Sequence, residues 1–300
     1  MTEEHSNSPA GFDSYWDNVD AELAALPGQP VLEELPMRSN EHCTVYALRL
    51  TSIGPYRLFG YYSVPAGDGP FPALLQTPRY GSVNHIPDYN DRLRYACLQI
   101  MHRGQRLADQ PYAASYPGLL TDGIEDPDGY AFRGIVADCL RAAEFLLSRD
   151  EVDVGRVAVS GDDLALITAS RRTGFATVMA DSLMFYRLME QRKRTSGYPV
   201  EEINDALRLD PDAESAIAGT VAYFDPLHHA GAIQSHVVLS VGDEGGSSGP
   251  DWLHPLVEAI PGEVEDYRLT HRGGTDHDAL DALLAGRMGV EPMFRFKRHI

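Results

Sequence analysis

Short apolar runs and longer helical stretches take turns along this chain, and that alternation constrains its fold more than any other feature. VYALRLTS (45–52) and YRLFGYYSV (56–64) alternate apolar with polar residues around Gly54-Pro55 and predict a hairpin. ALLQT (73–77), YACLQIM (95–101), RVAVS (156–160), ATVMAD (176–181), HVVLSVG (236–242) and EDYRLTH (265–271) read as further strands. Tyr130 to Leu147 places Ile135, Leu140, Ala143 and Leu147 on one helical face. LALITASRR (164–172) and a stretch from about His277 to Ala285 are also helical. Strands alternating with helices predict an α/β fold, a mostly parallel sheet with helices on both faces. A helix over 13–26, N-capped by Asp13 or Ser14, precedes it. Residues 182–222 are mostly helical and polar, an insertion rather than a second core. The expectation is one domain over 1–300, with 1–40 as an N-terminal extension and 182–222 as a cap.

Charge narrows the function classes. Against 25 Lys and Arg stand 44 Asp and Glu, a formal net charge of −19. So acidic a chain repels nucleic acid and anionic membranes. There is no apolar run of about 18 residues to span a bilayer. The start, MTEEHSNSPAGFDSYW, lacks the basic and apolar regions of a secretory leader, so the expected location is cytoplasmic. Cys43, Cys97 and Cys139 are odd in number and scattered, and read as buried small hydrophobes rather than a disulfide or zinc framework.

The chemistry-bearing feature is Gly161-Asp162-Asp163-Leu164-Ala165, a sharp turn between the strand at 156–160 and the next helix. Strand, tight turn and helix are the setting of the nucleophile elbow Gly-x-Ser-x-Gly, whose small residues let strand and helix approach. Gly161 and Ala165 keep the small positions, while Asp163 stands where the nucleophile would be. An Asp opening a helix is also simply a good N-cap.

Beyond that turn the chain resembles the acetyl xylan esterase and cephalosporin C deacetylase family of α/β-hydrolases, from about residue 30 to 285. The resemblance rests on Arg103-Gly104-Gln105, LLTDGIEDPDGYAFRGIVADCLRAAEFL (119–146), EVDVGRVAVSG (151–161), Tyr198-Pro199, AYFDPLHHA (222–230) and VLSVG (238–242), in family order. It implies an α/β-hydrolase fold with an N-terminal helix and hairpin extension and a helical cap. It also implies a small-molecule substrate, no cofactor or metal, and a closed homo-oligomer, commonly a hexamer. Its serine falls on Asp163 and its oxyanion glutamine on Leu164, whose N–H remains available. Its oxyanion tyrosine falls on Tyr80, in Pro78-Arg79-Tyr80 rather than His-Gly-Tyr. The acid position falls on Gly245, leaving Asp243 and Glu244 as candidates, and the histidine falls on His277 within Asp276-His277-Asp278.

An aspartate at the elbow leaves three readings open. As a nucleophile it is suited to saturated carbon, where the product is an ordinary ester that water activated by His277 hydrolyses; dehalogenases and epoxide hydrolases of this fold offer the analogy. As an acid–base pair, Asp163 and His277 move protons in an elimination, isomerisation or cyclisation, a lyase- or cyclase-type activity without a covalent intermediate. As a retired site, the fold serves binding or assembly. Residual deacetylation is a further alternative.

The remaining candidates are weaker. His271 ends a strand six residues before His277 and is a rival base, with solvent as its simpler fate. Arg79 could hold an anionic substrate group or join a surface ion pair. His85 lies in the loop after Tyr80. His228-His229 lacks a carboxylate at ligand spacing, so metal binding is disfavoured. The loop at 242–249 lacks the spacing of an EF-hand. No nucleotide-binding glycine motif is present. Arg103-Gly104-Gln105 reads as scaffold.

Overall fold

The computed structural model describes residues 8–296 except Asn84, Glu244 and Ser247. Among the described residues nine strands form one sheet: β1 (Val31–Glu34), β2 (Cys43–Ser52), β3 (Tyr56–Pro65), β4 (Phe71–Gln76), β5 (Ala96–Met101), β6 (Val152–Gly161), β7 (Thr177–Ala180), β8 (His236–Val241) and β9 (Val264–Arg268). Their order is β1-β2-β3-β5-β4-β6-β7-β8-β9. The hairpin forms as expected, with Ser52 opposite Tyr56 and Cys43 opposite Pro65. β3 pairs antiparallel with β5. From β5 across to β9 every pairing is parallel.

The longer helices are α1 (Phe12–Ala25), α2 (Ala131–Leu147), α3 (Asp163–Arg171), α4 (Glu201–Leu209), α5 (Glu214–Val221), α6 (Pro250–Ala259) and α7 (Gly273–Met288). Side chains alternate across the sheet, so neighbouring residues serve opposite cores. Leu75, Val159, Val178 and Leu239 join Leu146, Leu166 and Leu256 of α2, α3 and α6 on one face. Leu74, Cys97 and Ala158 meet Leu284 and Met288 of α7 on the other.

Helix α1 begins at Phe12, and its N-cap is Gly11 at φ +78° rather than Asp13 or Ser14. Gly11 adopts that left-handed conformation without a Cβ penalty; the Ser14 hydroxyl donates back to the Gly11 carbonyl. The helix is more than an appendage. Trp16, Val19 and Leu23 are fully buried, worth roughly 1.5–3 kcal/mol for each large apolar side chain. The Arg141 guanidinium donates to the Leu23 and Leu26 carbonyls, closing the helix C-terminus. Cys43, Cys97 and Cys139 are buried and free, as expected.

One boundary shift matters for the site. The last helix was expected from about His277; it starts at Gly273. His277 therefore lies inside the helix, and the residue left at its mouth after β9 is His271.

Candidate active site

The turn after β6 is built by steric demand. A Cβ on Gly161 would collide with the Thr77 hydroxyl oxygen at the end of β4. Asp162 forms the turn and Asp163 is the first residue of α3. Asp162 sits at φ −106°, ψ −144°, and none of residues 161–165 has a positive φ. The strained backbone of a nucleophile elbow is absent from this turn.

The two aspartates face different surroundings. Asp162 Oδ1 accepts a hydrogen bond from the Leu164 N–H at 3.0 Å, capping α3. Its side chain borders a void of about 10 Å³ shared with Tyr80, His102, Phe132, Met184 and Phe185, about the space of one water. Burial pushes the Asp162 carboxyl up to about 6, opposed by Arg79 and the Leu164 N–H. Asp163 is fully buried. Its carboxylate accepts from the Met184 N–H at 2.5 Å and the Tyr186 N–H at 3.1 Å. Burial, and next the Asp162 charge, hold Asp163 well above the ordinary carboxyl range. Asp163 thus anchors the segment leaving β7. The sequence expectation of Asp163 pointing into a pocket beside His277 is corrected here: the two share no hydrogen bond or ion pair.

The loop after β4 is held from three sides. Gln105 Nε2 donates to the Arg79 carbonyl at 3.0 Å and the Gly81 carbonyl at 2.8 Å. Arg103 in turn grips the fully buried Asp138 through its backbone N–H, Nε and Nη2 at 2.9, 3.0 and 2.7 Å. Gly104 stands at φ +87°, where a Cβ would come within 2.6 Å of the Tyr112 ring. The Arg-Gly-Gln segment is scaffold, as expected, and it holds the Tyr80 loop specifically. The Tyr80 hydroxyl donates to Glu202 Oε1 at 2.7 Å and accepts from the Leu120 N–H at 3.0 Å, tying the loop to α4 of the insertion. Arg79 forms a two-pronged pair with Asp181 after β7, with Nη2 to Oδ2 at 3.0 Å.

Histidine and acid fall differently from the expectation. His277, 41% exposed, lies 3.5 Å from Asp278 and 4.0 Å from Asp88, with its ring edge-on to Phe296. His271 follows β9 at φ +56°, and its Nε2 lies 3.3 Å from Asp243 Oδ2, the loop carboxylate after β8. Of the expected acids, Asp243 finds a histidine, but that histidine is His271. Glu244 lies outside the described residues. Asp162, Gln105 and Glu202 were absent from the expected site, and His271 stood there only as a rival base. The signal for His271 was its place directly after a strand; for Asp162, an Asp two residues ahead of a helical N–H.

Elsewhere, His229 is buried against Phe12 and Trp16, and burial pushes its imidazole down to about 3. His85 is exposed. Among the described residues, no group of three or more His, Cys, Asp or Glu could hold a metal.

The loops after β4, β6, β8 and β9 thus bring Tyr80, Asp162, Asp243 and His271 to the C-terminal end of the sheet, the end at which open α/β sheets bind ligands. Nucleophile, acid and histidine occur in that chain order in α/β-hydrolases.

The acetyl xylan esterase family model matches residues 2–251. Acetyl esterase Axe7A of Xylanibacter ruminicola is 24% identical over 257 residues, covering 79% of this chain. The chain spans only 57% of the length of that relative. Among solved structures, acetyl xylan esterase from Paenibacillus sp. R4 superposes at TM-score 0.80 with 23% identity, covering 93% of this chain and 95% of that one. Acetyl xylan esterase 1 from Thermoanaerobacterium sp. JW/SL YS485 gives 0.78 with 23% identity, covering 92% and 94%. These likenesses establish the α/β-hydrolase fold.

Proposed function

The chain belongs to the acetyl xylan esterase family, and on that premise we propose that it hydrolyses an acetyl ester of a small molecule without a serine nucleophile. The observation that carries this reading is the Asp243–His271 pair on the loops after β8 and β9. Asp243 orients the imidazole, and neutral His271 takes a proton from water as it attacks the acetyl carbon. The carbonyl oxygen is met by Asp162 in its protonated form and by the Tyr80 N–H. A carboxyl pushed up to about 6 is neutral below that pH and can then donate. As the tetrahedral intermediate collapses, the C–O bond to the alcohol breaks and the alkoxide takes the proton from His271. Acetic acid and the free alcohol leave.

This departs from the expected acid–base pair of Asp163 with His277: the base is His271 oriented by Asp243, and Asp162 serves as a hydrogen-bond donor. Asp163 acts through position, holding Met184 and Tyr186. A second reading, ligand binding without turnover, is favoured by one observation: Asp162 Oδ1 already occupies the Leu164 N–H, a donor an oxyanion needs.

Hydrolysis of an activated acetate ester by the wild type, Asp162→Ser and His271→Ala decides. The hydrolase reading expects turnover above background in the wild type and its loss in His271→Ala. A silent wild type with activity gained in Asp162→Ser would establish a scaffold turned to binding. Turnover unchanged in His271→Ala would sink the assigned base.

A further inference from the structure

A separate cavity of about 210 Å³ lies between the sheet and α7, reaching from Arg79 and Asp181 to His277. Its sheet wall belongs to the face that elsewhere meets α7 through leucine, alanine and methionine. Here that face carries Gln76 on β4, Ser160 on β6 and Ser240 on β8. Gln76 and Ser160 sit side by side in the parallel register, with Met179 beside Ser160. The Gln76 side-chain oxygen is buried with no hydrogen-bond partner. A buried acceptor left unpaired is destabilising, and an interface between helix and sheet has no structural need of one.

The charges around the cavity are already paired. Asp181 is held by Arg79, and Asp91 and Asp281 share Arg94. Besides His277, whose imidazole has Asp88 and Asp278 as neighbours, the groups left to meet a ligand are an amide and two hydroxyls over an apolar floor that includes Leu74, Met179 and Leu284. Neutral groups that both donate and accept fit hydroxyls better than ions. We propose that this cavity is a second binding site, taking a small neutral polyol whose hydroxyls satisfy Gln76, Ser160 and Ser240 while its carbon skeleton lies on Met179.

The test uses the full chain labelled with 13C at methionine methyls, the Met179 signal being assigned by Met179→Leu. Titration with erythritol is expected to shift that signal saturably, in the millimolar range. Gln76→Leu and Ser160→Ala, each checked for a wild-type melting profile, are expected to weaken binding at least tenfold. If Gln76→Leu fails to fold, Ser160→Ala carries the comparison. A linear or absent shift means water alone fills the space and overturns the proposal. Saturation by methylammonium or acetate but not erythritol overturns the neutral class, and undiminished binding in Ser160→Ala overturns the site.

Discussion

The Leu164 N–H and the Asp162 carboxylate, 3.0 Å apart, place an internal anion where an ester hydrolase would stabilise a developing one. The pair closes the first turn of α3 as an N-cap while burying a charge behind Tyr80 and Phe132. Asn caps a helix as well as Asp does, so Asp162→Asn separates the cap from the charge.

Asp162→Asn is expected to raise stability at pH 7–8 by about 1–3 kcal/mol, taking 1.36 kcal/mol per pKa unit. The folded value of about 6 lies above the usual carboxyl value, so the folded state holds this proton more tightly. The cost of ionisation is absent below about pH 4, grows between 4 and 6, and is complete above 6. The advantage of the variant should fade along that course. Thermal melts of both proteins from pH 4 to 8 measure it; an advantage that grows toward acid would contradict the buried-charge account.

The same variant bears on the proposed chemistry. Neutral Asp162 is the donor in that scheme, so wild-type turnover should fall as pH rises through about 6. The amide of Asp162→Asn donates at every pH, and its kcat/KM profile should lose that alkaline decline.

His271 and His277 should part company in kinetics. His271→Ala is expected to lower kcat by about 10²–10⁴, the usual worth of a positioned base. His277→Ala should leave kcat within about twofold, since the carboxylates beside it are Asp278 and Asp88 rather than Asp243. Equal losses would return His277 to the site.

Arg103→Met should destabilise the protein by about 3–5 kcal/mol, because it strands the charge of Asp138 in the core. Adding Asp138→Leu should recover most of that loss. Urea melts of the single and double variants give the coupling; a double variant no more stable than the single one would assign the loss to packing.

Gln105→Ala removes two hydrogen bonds to the Arg79 and Gly81 carbonyls. Stability should fall by about 1–3 kcal/mol. Turnover should fall through kcat more than KM, because the proposed scheme makes the Tyr80 N–H a transition-state contact.

The alternation of apolar strands with helices determined the α/β class, the hairpin and nearly every strand, because burial of a sheet face or a helix stripe leaves a period in the sequence. Family membership was legible in the ordered segments from Arg103-Gly104-Gln105 to VLSVG (238–242), and Gly161 in its small-residue requirement. Tertiary structure decided the roles. Which aspartate of Asp162-Asp163 borders the pocket depends on where the helix begins, and a shift of one residue turns a side chain by about 100° on a helix of 3.6 residues per turn. Asp163 is claimed by the Met184 and Tyr186 N–H groups, more than twenty positions along the chain. The histidine that meets Asp243 was settled by α7 starting at Gly273 rather than His277. No local pattern encodes either pairing, because both join segments far apart in the chain that only the assembled sheet brings together.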